Sequence, residues 1–496
     1  MVAPTNHAPD AGNRAPESLS TRIRRAVLWR SGSQVIAQIV QWGATFLVIR
    51  ILTPADYGLF AMTQVVLMLA AMLNGMGLAN ALVRAPELRR EDVARVFGIL
   101  IAANLALAAI QVAAAPLVAA YYREPRVAEI LRVQALLYLA NPLIALAQGQ
   151  LARTLEFARQ ARVNILAALA GAGTALTGAL LGWGVWALVA APIALFGARA
   201  IGLTIAAGSV PRPSFAFRGA GAFARYGGLV AAGQFFAFVW SQADVAIAGR
   251  IVDARTLGLY ATALFLVQIV VSKVVPPLNE VAFAAYARLQ GTPGAVGRAF
   301  LTLVRAVMVV AMPFYMGLAS AAEPIVLTAL GPHWHDAAPI VALLALSMPA
   351  YTLYVLLGPA CDALGRPGIA TANGAAAAVI APLAVIVSVQ WGIMALAASW
   401  IATFALLLAI GARRALPVIG VSAGELVRAA APAVSASLAM AAVVLLVDRA
   451  LPPLAAPTRL GLLVATGGAV YAGWLLVFAR TSIAALLSLV RPRPAA

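Results

Sequence analysis

Residues 50–61 read RILTPADYGLFA and residues 250–261 read RIVDARTLGLYA, so one motif recurs after 200 residues. The arginine, the glycine and an aromatic residue coincide in the two copies, and Gln34 and Gln234 keep the same offset. Each copy separates two long apolar runs, and six such runs lie from one copy to the next. Chance matching in a sequence rich in Ala and Leu is the alternative. The repeat predicts two lobes of equal orientation, with a path between them.

The composition indicates that lipid is the solvent for most of this chain. Of its 496 residues, 63% are hydrophobic and 10% are charged, and the mean hydropathy is +0.93. An ordinary soluble domain is about half apolar and about a quarter charged. The sequence therefore predicts an integral membrane protein.

A helix needs about 20 apolar residues to cross the hydrocarbon core. Apolar runs predict an all-α polytopic fold of about fourteen transmembrane helices, with twelve as the alternative count. The predicted spans are residues 31–51, 58–83, 96–120, 131–150, 160–182, 184–206, 227–249, 257–280, 299–322, 337–358, 368–389, 392–412, 428–448 and 460–480.

These spans divide the chain into five predicted parts. Two six-helix lobes form a parallel repeat, two additional helices follow, and a tail lies at each end. The predicted boundaries are a disordered cytoplasmic tail at 1–18, an N-lobe at 19–210, a C-lobe at 211–415, two additional spans at 416–482 and a cytoplasmic tail at 483–496.

The net charge of +18 is explained by topology rather than by nucleic acid. The basic residues are 34 Arg and Lys273, and no basic stretch is interleaved with aromatics on a polar background. With the N-terminus in the cytoplasm, predicted inside segments hold 24 basic residues and predicted outside segments hold eight. This bias predicts that both termini lie in the cytoplasm, and no nucleic-acid partner is expected.

Motifs for catalysis or cofactor binding are not found in the sequence. Cys361 is the single cysteine, and neither a nucleophile–base pair nor a phosphate-binding glycine loop is present. Residues 333–336 (HWHD) lie on one outer hairpin and do not supply enough ligands to close a metal site. We therefore expect no enzyme activity, no cofactor, no metal and no ATP-driven transport.

The first predicted span carries a polar stripe. Arg30, Gln34, Gln38 and Gln41 recur at spacings of four, four and three residues, which places them on one helix face. A polar face is costly against lipid, so it is expected to face a cavity or another helix. Hydrogen bonding between helices is the alternative to substrate binding.

The seventh predicted span repeats this theme with Gln234, Ser241, Gln242 and Asp244. An ionised Asp near a helix centre costs about 2.5–3.5 kcal/mol on insertion scales. Asp244 is therefore a candidate for binding a coupling ion or proton. Structural pairing with an arginine is one alternative. Contact with water is another, because Asp244 lies near the predicted outer end, six residues before Arg250.

Lys273 lies inside the eighth predicted span and is followed by Pro276 and Pro277, which must break or end that helix. It is a cavity candidate, and snorkelling to the cytoplasmic interface is the alternative. For Arg199 and Arg305, close to the cytoplasmic boundary, the sequence favours snorkelling.

Several motifs resemble those of one protein family. Residues 50–62 (RILTPADYGLFAM) and 75–83 (GMGLANALV) resemble the opening of bacterial polysaccharide-transport proteins. These are the Wzx-type oligosaccharide flippases, or lipopolysaccharide biosynthesis proteins, of the multidrug/oligosaccharidyl-lipid/polysaccharide exporter superfamily. Further matches run in family order over roughly residues 20–410, at 121–125 (YYREP), 153–157 (RTLEF), 182–188 (GWGVWAL) and 257–260 (LGLY).

The resemblance implies two six-helix lobes around a V-shaped cavity, followed by two extra helices. It implies that a polyprenyl-pyrophosphate-linked oligosaccharide moves to the outer face of the plasma membrane for O-antigen, capsule or exopolysaccharide assembly, alongside other polysaccharide-assembly proteins. Related lipid II flippases use cationic cavity residues, to which Arg30, Arg50, Arg250 and Lys273 could correspond. Asn74 stands where family members often have an acid, which puts an acidic role in the second span in doubt.

Two other functions remain open at this point. A cation-coupled multidrug exporter of the same superfamily would need an acidic cavity, whereas cations outnumber acids in the predicted spans. A membrane-embedded polysaccharide polymerase or ligase would need a large outward loop with catalytic residues, and no predicted connection is that long.

Overall fold

A computed structural model describes residues 38, 40–73, 90–153, 157–208, 211–215 and 220–478, and only the backbone of residues 73, 90, 157 and 220–234. Over these ranges the chain is helical and contains no strand. The all-α fold predicted from the apolar runs is therefore confirmed.

In the N-terminal half, taken here as residues 40–207, the structure describes seven helices. They are α1 (Val40–Ile51), α2 (Pro54–Leu73), α3 (Arg90–Tyr122), α4 (Arg126–Gln134), α5 (Leu137–Arg153), α6 (Phe157–Leu180) and α7 (Val185–Ala207).

The C-terminal half, taken here as residues 220–419, is followed by a final helical pair. Its helices are α8 (Ala220–Ile251), α9 (Ala254–Val267), α10 (Ile269–Lys273), α11 (Val275–Leu289), α12 (Ala295–Ser320), α13 (Ala322–Ala329), α14 (Ala338–Ala363), α15 (Pro367–Ser388) and α16 (Ile393–Ile419), and the pair is α17 (Ala423–Ala450) and α18 (Ala456–Phe478). Short 3₁₀ segments precede α14 (Pro332–Ala337) and α16 (Val389–Trp391).

Eleven helical segments of the described residues are long and apolar enough to cross a membrane. Each coincides with a predicted span, so the chain is a multi-pass membrane protein. The predicted spans at 31–51, 227–249 and 257–280 are not among the eleven. Helix α1 is described only from Val40, side chains of α8 only from residue 235, and the third of these spans is broken. The count of fourteen stays a prediction.

The predicted span 257–280 is broken at Gln268 and at Val274, and the second break follows from its prolines. Helix α10 ends at Lys273, and Pro276 and Pro277 stand in the first turn of α11. Prolines are tolerated there because first-turn N–H groups have no partner within the helix. The expectation that these prolines interrupt the helix is confirmed.

The two halves meet along α2, α8 and α9. Helix α2 packs on α9 and on α8, and Leu59, Met62, Leu257 and Tyr260 from these helices are buried in one core. In the C-terminal half, α14 packs on α12 and α16, and α17 connects α12 to α18. The division into lobes at residues 210 and 415 stays a prediction.

Candidate substrate cavity

A cavity of about 1160 Å³ lies among α1, α2, α5, α6 and α7, and is closed on one side by α8 and α9. Most of its lining comes from the N-terminal half. The C-terminal half contributes Gln242 and Val245 from α8 and Ala261, Thr262 and Phe265 from α9. The predicted path between two lobes is thus an asymmetric chamber, because the helices of the N-terminal half surround it.

Carboxamide side chains dominate the polar part of the lining. Each amide offers two N–H donors and a carbonyl acceptor, so a ring of amides can exchange hydrogen bonds with a hydroxyl-rich ligand. The amide residues are Gln38, Gln41, Gln64, Gln148, Gln160, Asn164 and Gln242.

The polar stripe of the first span faces this cavity where it is described. Gln38 and Gln41 both line the cavity, three residues apart on the first helix. Arg30 and Gln34 lie outside the described residues, and so does the side chain of Gln234. Their placement in the cavity stays a prediction.

Arg199 is the charged residue in the described lining. It lies on α7 eight residues before Ala207, which is about 12 Å along the helix axis. Its Nε atom is buried and has no hydrogen-bond partner. Arg199 therefore lies in the cavity wall, whereas the sequence favoured snorkelling to the cytoplasmic interface.

The two arginines of the repeated motif lie outside the cavity lining. Arg50 Nη1 donates to the carbonyl of Thr328 at 2.9 Å, and Arg250 Nη1 donates to the carbonyl of Tyr121 at 2.9 Å. The Arg250 guanidinium also lies 4.9 Å from the centre of the Tyr121 ring. A role in substrate binding for this pair stays a prediction.

Asp244 is almost fully buried, with 3% of its surface exposed. Its carboxylate accepts from the Val245 N–H at 2.8 Å and from the Tyr260 hydroxyl at 2.9 Å. Trp400 Nε1 donates to the same hydroxyl at 2.7 Å, so the Tyr260 proton must point to Asp244. Among the described residues no arginine pairs with this carboxylate, and Arg250 donates instead to the carbonyl of Tyr121.

The remaining candidate cations lie away from the cavity. Lys273 is exposed at the end of α10, and Arg305 on α12 does not contribute to the cavity lining. On the hairpin that the sequence predicts to lie outside, His335 Nε2 is 3.4 Å from Glu323, and Arg255 Nη2 is 2.8 Å from Asp336.

Part of the cavity lining was not predicted from the sequence. Gln160 and Asn164 follow one face of α6 with the small residues Ala167, Ala168 and Gly171. Their spacing of three to four residues was a signal that could have been found, since it leaves a helix face both polar and small. Gln64 is a single amide within an apolar span and had no such pattern, whereas Gln148 shares its helix with Asn141 and Gln150.

The fold and the cavity define a polytopic membrane transporter. A family model described as polysaccharide biosynthesis protein matches residues 47–339, which is more than half of the chain. The chain belongs to this family.

Two relatives and one solved structure illustrate the similarity. The succinoglycan biosynthesis transport protein ExoT of Rhizobium meliloti (strain 1021) is 28% identical over 325 residues, 64% of this chain and 65% of that protein. The teichuronic acid biosynthesis protein TuaB of Bacillus subtilis (strain 168) is 23% identical over 389 residues, 77% and 80% of the two chains. The chain thus spans slightly less than two thirds of ExoT.

The fold is that of the lipid II flippase MurJ in an inward closed conformation, with a TM-score of 0.74 at 12% identity. The match covers 92% of this chain and 100% of MurJ. At this identity the likeness concerns the fold alone.

Proposed function

We propose that this protein moves a polyprenyl-pyrophosphate-linked oligosaccharide from the inner to the outer face of the plasma membrane, by alternating access, for the assembly of a surface polysaccharide. The observation that carries the proposal is a cavity lined by seven carboxamides and by Arg199. The protein acts as a transporter and not as an enzyme.

The carboxamides suit the glycan part of such a substrate. Sugar hydroxyls both donate and accept hydrogen bonds, and Gln and Asn offer both functions from one side chain. The small apolar residues between the amides, such as Ala168 and Gly171, leave room for rings of different size. The chamber therefore fits a neutral, hydroxyl-rich ligand along most of its wall.

Arg199 suits the anionic pyrophosphate of such a substrate. Its guanidinium can bind a pyrophosphate through two parallel hydrogen bonds, and such charge-assisted bonds are about twice as strong as neutral ones. Arg199 lines the cavity, and its buried Nε atom has no hydrogen-bond partner in the protein. The polyprenyl tail can stay in the lipid while the headgroup crosses.

The charges of the cavity also argue against export of cationic drugs. No carboxylate is present in the described lining, and its charged group is a cation. A cationic ligand would meet repulsion from Arg199 without a compensating acid. The multidrug exporter is thus disfavoured.

Asp244 is proposed as the site at which a coupling cation or proton acts. No cation among the described residues forms an ion pair with it, and its protein partners are the Val245 N–H and Tyr260. A buried carboxylate without a cation is costly, so binding a proton or a metal cation would lower its free energy. Because Tyr260 and Trp400 belong to other helices, this event would reach three spans.

The proposed location is the plasma membrane with both termini in the cytoplasm. The three-to-one distribution of basic residues supports this orientation. Other polysaccharide-assembly proteins are proposed partners. A substrate role for Arg30, Gln34 and Gln234 belongs to the same proposal, whereas Lys273 lies outside the described cavity lining.

The test is deletion of the gene in its own host. We expect lipid-linked oligosaccharide to accumulate on the inner leaflet and surface polysaccharide to be lost, with both restored by the wild-type gene. Normal surface polysaccharide and normal lipid carrier, together with reduced drug efflux, would instead establish the multidrug exporter.

A further inference from the structure

The repeated arginines reach across the boundary between the two halves. Arg50, at the end of α1, contacts Thr328 in the C-terminal half, and Arg250, at the end of α8, contacts Tyr121 in the N-terminal half. The two bonds are reciprocal, because each half donates one guanidinium and accepts the other.

Each acceptor is a carbonyl at the C-terminal end of a helix. Tyr121 belongs to the last turn of α3 and Thr328 to the last turn of α13. The last four carbonyls of a helix have no partner within the helix, and the negative end of the helix dipole attracts a cation. Each arginine therefore caps a helix of the opposite half.

Two further side chains cross the boundary at the same end of the molecule. Trp334 Nε1 donates to the carbonyl of Ile49 at 2.8 Å, and the Tyr121 hydroxyl donates to the carbonyl of Ala246 at 3.1 Å. These acceptors lie in the helices that carry the two arginines. The contacts from Arg50, Arg250, Trp334 and Tyr121 form one layer, called here the outer latch.

The outer latch lies above the end of the cavity. Ile49 and Tyr57 line the chamber, while the Ile49 carbonyl and the Tyr57 ring contact Trp334. The amide residues Gln38, Gln148 and Gln160 lie toward the opposite end of their helices. The chamber is thus closed at the end that the charge distribution assigns to the outer face.

We propose that Arg50 and Arg250 are gate residues, which hold the outer end of the transporter closed by capping helices of the opposite half. The inference rests on the alternating access of the proposed function, but it does not depend on which compound is carried. Opening the outer end must separate both guanidinium–carbonyl pairs, since each pair bridges the two halves.

The experiment measures access to the cavity from outside. In a Cys361→Ala background, Ala175→Cys places a thiol in the cavity lining, and a membrane-impermeant maleimide is applied to intact spheroplasts. We expect Arg50→Gln or Arg250→Gln to raise the labelling rate about tenfold, as loss of one charge-assisted hydrogen bond suggests. The double variant is expected to label faster still.

Matched controls separate the latch from a general charge effect. Arg255 and Arg126 are exposed arginines of the outer face that pair within their own half, with Asp336 and Glu124. Arg255→Gln and Arg126→Gln are expected to leave the labelling rate unchanged. Ala455→Cys, in an exposed outer loop, reports abundance and orientation.

The results have distinct meanings. Unchanged labelling of Ala175→Cys in both single variants and in the double variant, at wild-type abundance, overturns the latch. If flipping is then lost as well, the arginines bind substrate instead. Faster labelling of the Arg50→Gln and Arg250→Gln variants supports the latch. If the surface polysaccharide of the strain does not depend on the gene, only the proposed substrate is contradicted.

Discussion

At the residue scale, Arg199 is the side chain on which most of the proposed chemistry depends. It is half-buried in α7, faces a chamber lined by amides, and has an Nε without a partner. In a site of low dielectric constant, a single guanidinium attracts an anion far more strongly than it would in water. Its effect should therefore be large and specific.

We expect Arg199→Gln to reduce transport by roughly one to two orders of magnitude, since hydrogen bonds to charged groups contribute about 1.5–3 kcal/mol. Arg199→Lys should restore part of the activity, because it keeps the charge but loses the planar fork. Surface polysaccharide and inner-leaflet intermediate in the deletion strain provide the measurement. Arg305→Gln, on a membrane helix outside the cavity, is the control and should complement fully.

Asp244 gives a second expectation at this scale. Asp244→Asn keeps the shape of the side chain and one acceptor oxygen for the Tyr260 hydroxyl. The neutral amide has no negative charge with which to bind a cation or a proton. We expect transport to fall and to lose its dependence on an applied ion gradient, measured in membrane vesicles, while the protein stays folded. Asp362→Asn, on an exposed acid, is the control. Undiminished gradient dependence in Asp244→Asn would assign Asp244 a purely structural role.

At the element scale, the crossing of α2 and α9 determines how closely the two halves approach. A Cβ atom on Gly58 would lie 1.7 Å from the carbonyl oxygen of Ala254, and one on Gly258 would lie 1.7 Å from that of Pro54. Backbone atoms cannot yield as a flexible side chain can. These two glycines of the repeated motif are therefore needed for a direct backbone contact.

Replacing Gly58 by alanine should force α2 and α9 apart. We expect a loss of stability of at least about 1–3 kcal/mol, the usual cost of overpacking, together with faster labelling of Ala175→Cys from outside. Thermal unfolding in detergent provides the first measurement. Gly43→Ala is the matched control and should behave like the wild type, because a Cβ atom added at Gly43 would have no neighbouring atom within 4 Å. Equal behaviour of the two variants would contradict the close crossing.

The helices themselves were largely predictable from the sequence, because apolar length and charge are local properties. The interruption at Pro276 and Pro277 was predictable for the same reason. The lining of the cavity was predictable only where polar residues repeat on one face, as for Gln38 and Gln41. Arg199 was misjudged because a single arginine near a span's end looks the same whether it faces lipid headgroups or a chamber.

The partners of Arg50 and Arg250 were beyond sequence reasoning. Each partner is a backbone carbonyl, 278 residues away from Arg50 and 129 residues away from Arg250. Because every residue has a backbone carbonyl, the residue type at the partner position gives no sign of the contact. The sequence marked both arginines as special through the repeat. It did not distinguish a cation that binds substrate from one that joins two helices.

At the scale of the whole molecule, the chamber belongs mainly to the N-terminal half. Among the described residues, helices α1, α2, α5, α6 and α7 carry most of its polar groups, and the C-terminal half contributes the polar side chains of Gln242 and Thr262. The C-terminal half instead holds the Asp244–Tyr260–Trp400 chain. Recognition and coupling are thus expected to lie in different halves.

A chimera tests this division. We expect a protein that joins residues 1–215 of this chain to the second half of a relative serving another glycan to transport the glycan of this chain. The reciprocal chimera, with its own wild-type parents as controls, should transport the other glycan. Complementation of two deletion strains provides the measurement. Glycan preference that follows the C-terminal half would refute the assignment.

The outer latch determines which of its positions can change in evolution without loss of the contact. Because Arg50 binds a main-chain oxygen, position 328 can accept many substitutions without losing the bond, as long as α13 ends where it does. Tyr121 has less freedom, since its hydroxyl and its ring are used as well as its carbonyl. Natural variation should therefore be wide at Thr328 and narrow at Tyr121, although both accept the same kind of bond.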